Sequence, residues 1–169
     1  MISSVPIGRA ILLVSLLSAI AGYSQACSLI GNEKFRPITG AFASRVPFHP
    51  PSVEVASLDI PAFADPEDCG YVGLIGLTIR SVDGTTYPDH TGVTVEYVSG
   101  NVPKDLKRHL GDRVRGYRNE NGAIAVHYWW DLASADLEPL DFVLRVRVLN
   151  ASGIPGAPTD LRVISPGVK

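Results

Sequence analysis

The stretch LEPLDFVLRVRVLNASGIPGAPTDLRVI, residues 137–164, decides how the rest of the chain is read. Within it Phe142, Leu144, Val146 and Val148 recur at every second position, with Arg145 and Arg147 between them. Successive side chains of a strand point to opposite faces, so this spacing predicts an apolar face turned to a core and a cationic face turned outward. Asn150, Gly153 and Pro155-Gly156 then supply turn chemistry, and Leu161 to Ile164 give a closing strand.

Working outward, the same period recurs in short segments. Val53 and Val55 alternate; Ile75, Leu77 and Ile79 share one face of a strand that also carries Val72 and Leu74 opposite, which predicts a central position. Val93, Val95 and Tyr97 form a half-buried strand after the Asp83-Gly84 turn. Residues 103–110 fit one or two helical turns, with Pro103 at a tolerated first position and Gly111 as the stop. Val114 to Tyr117 and Ala123 to Trp130 flank Asn119-Glu120-Asn121-Gly122, and the Asn-Gly pair predicts a hairpin in which both residues accept positive φ. About seven short strands separated by turns predict an all-β, antiparallel two-sheet sandwich.

The other end of the chain differs in composition. One cation, Arg9, precedes an apolar run from Ala10 to Ala21, too short for a membrane-spanning helix, which needs roughly 20 residues. Ser24 and Ala26 flank Gln25 as a signal peptidase site requires, so residues 1–26 are expected to be a secretory signal. Residues 27–51, broken by Gly31, Pro37, Gly40, Pro47, Pro50 and Pro51, are expected to be an irregular extension held by Cys27, Phe35, Phe42 and Phe48. Residues 52–165 then form the sandwich and 166–169 a tail. Cleavage makes Cys27 the first mature residue and leaves three fates for its thiol. It pairs with Cys69, the only other cysteine, it carries a lipid, although Ser24 and Gln25 match a lipobox poorly, or both thiols stay free. A bridge closing that loop would stabilise by about 4 kcal/mol on chain entropy alone.

Residues 137–164 resemble the E–F corner, F strand and F–G loop of a fibronectin type III domain: a Leu-x-Pro turn, an aromatic residue, alternating apolars and Asn-x-x-Gly. A looser match runs from about residue 51 to 164, and related immunoglobulin-like sandwiches give much the same pattern. The resemblance implies that Leu137 plugs the sandwich end and that Pro139 fixes the corner. Phe142 stands where the family carries a tyrosine, so the corner hydroxyl is missing, and GYVGLIGLTI lacks the family's tryptophan. Trp129 or Trp130 can replace that bulk, but only one of two neighbours on a strand faces the core. Such sandwiches serve as spacers and binding modules.

Candidate chemistry is sparse. His49, His90, His109 and His127 show no ligand spacing, and no zinc, nucleophile-elbow or phosphate-loop pattern occurs, so no cofactor is expected. Gly70, Gly73 and Gly76 have the wrong spacing for a phosphate loop and read as close-packing or bulge positions. His127, four residues before Asp131, reads either as a general base with a carboxylate partner or as a surface histidine on a strand, and Asp65, Glu67, Asp68, Asp83 and Asp89 lack calcium-loop spacing. Asn150-Ala151-Ser152 matches a glycosylation sequon and is assigned no role.

The 15 cations against 17 anions exclude a nucleic-acid binder that works by global charge, yet the total hides segregation. Between Lys104 and Arg118 six cations face two anions, whereas Glu54 to Asp68 carries five anions and no cation. Lys107, Arg108, Arg113, Arg115 and Arg118 are therefore the candidate binding surface, for a protein or an anionic envelope polymer; the bland reading is an edge strand blunted by charge. A membrane is expected as partner only if Cys27 is lipidated. The expectation is an exported, non-enzymatic binding or structural module, in the periplasm, on the cell surface or outside the cell. Its alternatives are a lipid-anchored envelope component and a small extracytoplasmic hydrolase built from loops around His90, His127 and the acidic cluster.

Overall fold

The computed structural model describes residues 31–40, 46–59, 72–131 and 139–166. Among the described residues nine strands and one short helix follow in chain order: β1 (Glu33–Lys34), β2 (Pro51–Asp59), β3 (Val72–Ser81), β4 (Gly92–Asn101), α1 (Lys104–His109), β5 (Arg113–Arg115), β6 (Tyr117–Arg118), β7 (Ile124–Asp131), β8 (Leu140–Leu149) and β9 (Thr159–Ser165). They make two antiparallel sheets, a four-stranded one ordered β2-β3-β7-β6 and a five-stranded one ordered β1-β5-β4-β8-β9. The two-sheet sandwich expected from the alternation is thus what the chain forms.

Its core lies between the sheets and is built from the predicted inward rows. In the five-stranded sheet Val93 opposes Val148 and Val95 opposes Val146; in the four-stranded sheet Leu77 opposes Val126 and Ile75 opposes Tyr128. Phe142, Leu144, Val146 and Val148 are fully buried, each such side chain stabilising by roughly 1.5–3 kcal/mol. Trp130 points inward and is fully enclosed, while Trp129 is half-buried on the outer face. The ring of Trp130 occupies the place where a side chain at Gly73 on β3 would stand, so the missing bulk of β3 is supplied from β7. Gly76 is likewise crowded, by Ser57 and His127, beside a bulge in β2 between Val55 and Ser57. Gly70 lies outside the described residues.

The expected hairpin forms between β6 and β7, but its first arm is shorter than the alternation predicts. Val114 to Tyr117 alternates as one strand would, yet the chain divides at Gly116: β5 pairs with β4 in one sheet, and β6 pairs with β7 in the other. A Cβ at Gly116 would meet the Ala125 carbonyl at 2.5 Å and crowd Ile124, which is why the crossing falls on a glycine. The turn into β7 also differs in detail. Only Gly122 has positive φ (73°), and Asn121 does not, because Asn119 Oδ1 accepts from the Asn121 and Ala123 amides and holds the other turn residues right-handed.

The segment expected to be irregular contributes β1, which extends the five-stranded sheet by pairing with β5. Phe35 is buried against Gly92 on the outer face of that sheet, and Phe48 packs at the core edge, edge-on to Tyr87. Pro103 proves to be the N-cap of α1, and Gly111 follows at φ 96° with its amide bonded to the Val95 carbonyl. Leu106 anchors this helix in the core. In the β8–β9 connection Asn150 is fully buried: its Oδ1 accepts from the Ser152 and Ile154 amides, both at 3.0 Å, and its Nδ2 donates to the Val46 carbonyl. Residues 1–26, Cys27, Phe42, Cys69 and Leu137, and with them the signal, disulfide, lipidation and end-plug expectations, lie outside the described residues.

Candidate functional site

The five candidate cations sit on three elements, α1, β5 and β6. Lys107 and Arg108 ride on α1, where the Lys107 ammonium stands 4.2 Å from the centroid of the Tyr97 ring and Arg108 pairs with Asp105 one turn back at 2.6 Å. Arg118, on β6, is fastened by the Pro88 and Gly122 carbonyls and by Asp89 at 3.4 Å. These three cations have partners within the protein. Arg113 and Arg115 behave differently. They flank the buried Val114 on β5, so both point outward, and neither has a carboxylate partner among the described residues.

Strand register adds a residue that the sequence reading did not join to them. Thr94 on β4 lies opposite Arg113 of β5 on one side and opposite Arg147 of β8 on the other. Because Val93 and Val95 face the core, Thr94, Arg113 and Arg147 form one outward row across three strands. Arg147 also lacks a carboxylate partner among the described residues. Arg113 reaches toward the β8–β9 connection, its Nη1 standing 3.2 Å from the point a Cβ on Gly153 would occupy. Thr94 is 6% exposed, and its hydroxyl has no hydrogen-bond partner.

The opposite half of the same face is neutralised. Arg145 grips Asp160 through two bonds of 2.8 Å, and Arg162 grips Asp141 at 2.8 and 2.6 Å. These bonds hold both carboxyls below their ordinary value and both guanidinium groups above theirs. The signal for Arg147 was present in the alternation of residues 142–148. What joins it to Arg113 is the pairing of β4 with both neighbours.

Three clefts border this region. One of about 420 Å³ is lined by Lys34, Phe35, Asp112 and Arg113. One of about 340 Å³ opens beside Arg115, between Glu33, Asp89, Tyr117 and Arg118. The third, of about 190 Å³, lies between α1, β5 and β7 and is lined by His109, Asp112, His127 and Trp129. Burial pushes the Tyr128 hydroxyl up, and the charge of Asp112 adds to the shift. The Asn32 side chain closes the free edge of β7 there, accepting from the His127 amide at 3.0 Å and donating to its carbonyl at 2.7 Å.

His109 and His127 line the smallest of these clefts, and His90 stands apart from them. His127 and Asp131 share the outer face of β7, but four residues of strand separate them by about 13 Å, beyond hydrogen-bond reach. His90 bonds the Arg36 carbonyl at 2.9 Å beside Phe35, over the other sheet. His109 stacks on Trp129. Asp65, Glu67 and Asp68 lie outside the described residues, and Asp83 is engaged in its own turn with Ser81 and Thr85. Among the described residues no three His, Cys, Asp or Glu side chains are placed to hold a metal. Compared with known proteins, the chain matches no family model, no curated protein and no solved structure.

Proposed function

We propose that this chain is an exported, non-enzymatic binding module built on a sandwich of the fibronectin type III or immunoglobulin-like kind. Strand order supports the family reading. The sequence β2-β3-β7-β6 corresponds to the A-B-E-D sheet of an immunoglobulin-like domain, and β4-β8-β9 to its C-F-G sheet, with β5 on the outer side of C. Fold alone assigns no activity. The observation that carries the binding reading is a set of outward arginines without a salt bridge, Arg113, Arg115 and Arg147, on a molecule whose other strand-borne arginines with described surroundings hold carboxylates or carbonyls.

Export rests on the leader-like residues 1–26. Expression of the full chain in a bacterial host, followed by fractionation and intact mass, tests it. The expected product is extracytoplasmic, lacks residues 1–26, and leaves the envelope fraction when salt is raised. Full-length chain confined to the cytoplasm overturns the reading. A mass increased by lipid would instead establish the anchored alternative through Cys27, and a mass two protons lighter than the reduced chain would establish the Cys27–Cys69 bridge.

A further inference from the structure

We infer that Arg113, Thr94 and Arg147 form a carboxylate-binding row that takes an acidic polysaccharide of the polyuronate kind. This deepens the binding-module reading and rests on it. Three observations meet in the row. Two outward guanidinium groups lack partners among the described residues, although the arginines beside them on the same face are bidentately paired. Arg113 leans toward the β8 side, on which Arg147 stands. Between them Thr94 keeps a hydroxyl that is enclosed and makes no hydrogen bond, a costly arrangement unless a ligand satisfies it.

The neighbouring pairs show which anion fits. Arg145 and Arg162 each hold a planar carboxylate through two nitrogens, and the same fork is offered at Arg113 and Arg147. With strands about 4.8 Å apart, the two arginines arise from backbone positions ~10 Å apart, so a polymer with pendant carboxylates can engage both while the Thr94 hydroxyl takes a further oxygen. Strand addition cannot deliver the ligand here, because the outer edge of β5 is occupied by β1. The three residues of the row include no aromatic platform of the kind that stacks nucleic-acid bases. Side-chain recognition on the outer face, beside the cleft of about 420 Å³ lined by Lys34, Phe35 and Arg113, therefore remains, and it suits a carboxylated glycan.

Polygalacturonate, measured against the mature chain by affinity electrophoresis at low and high salt, is the direct probe, with neutral dextran as blank. The wild-type chain is expected to be retarded by polygalacturonate in a salt-sensitive manner. R113Q and R147Q should each weaken retardation about tenfold, the scale of losing one bidentate charged contact. T94V should weaken it while leaving the thermal midpoint unchanged or higher, and R145Q should leave it unchanged. Retardation that survives R113Q/R147Q overturns the row but leaves the binding-module reading standing. Absence of retardation in the folded wild-type chain overturns the polysaccharide assignment, as does tighter binding to polyglutamate or to phosphatidylglycerol vesicles. Export to the envelope with salt-sensitive retention would still support the broader reading in that case.

Discussion

The two long sides of the sandwich are closed by different means. On one side a single chain leaves the five-stranded sheet as β5 and enters the four-stranded sheet as β6, so the sheets are joined covalently through Gly116. On the other, β2 and β9 each pair with one neighbour only, and the Thr159 hydroxyl, donating to the Pro51 carbonyl at 2.6 Å, spans between them. The strand-bridging Arg–carboxylate pairs sit on this second side: Glu54–Arg80 ties β2 to β3, while Arg145–Asp160 and Arg162–Asp141 tie β9 to β8. A free edge needs charges that fasten it to the adjacent strand and discourage pairing with other chains. On the side closed by backbone Arg118 is held by Asp89 and by the Pro88 and Gly122 carbonyls, while Arg113 and Arg115 have no carboxylate partner among the described residues. Arginine thus fastens both edge strands on one side, while on the other Arg113 and Arg115 are left without a carboxylate.

The comparison breaks most visibly at the crossing. G116A drives a methyl into the Ala125 carbonyl and Ile124, and it should destabilise the chain by about 3 kcal/mol in urea unfolding, at the upper end of overpacking effects. An unchanged midpoint would mean that the two sheets do not meet through this residue. Next in size is N32A, which strips two hydrogen bonds from the free edge of β7 and should cost about 1–2 kcal/mol. N32D should recover little of that loss, since a carboxylate cannot donate to the His127 carbonyl.

R145Q and R162Q should lower the midpoint less than N32A, because these pairs are exposed, and their small effect should vanish in high salt. On the crossing side R113Q and R115Q should not lower it at all. A thermal loss on the crossing side equal to that on the free-edge side would remove the distinction.

The finest test is pH. Asp141 and Asp160 titrate below their ordinary 3.8 because arginine bonds favour the charged form, and Asp83 is lowered to about 2 by the Ser81 hydroxyl and the Thr85 amide and hydroxyl. A depressed folded value gives stability that is present above the unfolded value and is lost as pH falls toward the folded one. Midpoints should therefore hold down to about pH 4 and decline from there toward about pH 2. D141N and D160N, measured by the same melts, should flatten the part of the decline that belongs to the free-edge side.

The sequence carried the period-two rows, because burial on one face writes itself into alternate residues. Phe142 to Val148 and Ile75 to Ile79 were legible for that reason. Gly116 was not, since a strand that changes sheets keeps its alternation on both sides of the break and one glycine is the only mark. β1 was hidden because Glu33-Lys34 has no apolar period and is ordered by β5. Charge density pointed to the segment of Arg113 and Arg115 but also gathered Lys107, Arg108 and Arg118, whose partners are tertiary. Thr94 and Arg147 entered the candidate site only through register, a relation between residues more than 50 positions apart.

The buried Asn150 sets a kinetic condition on how the protein can be made. In a secretory pathway that glycosylates Asn-x-Ser, the transferase reaches this amide only while the β8–β9 connection is still open. A glycan there would occupy the nitrogen that donates to Val46 and hold the loop from closing. Production in such a host becomes a race between loop closure and modification, and N150Q would end the race only by giving up the contacts that close the loop.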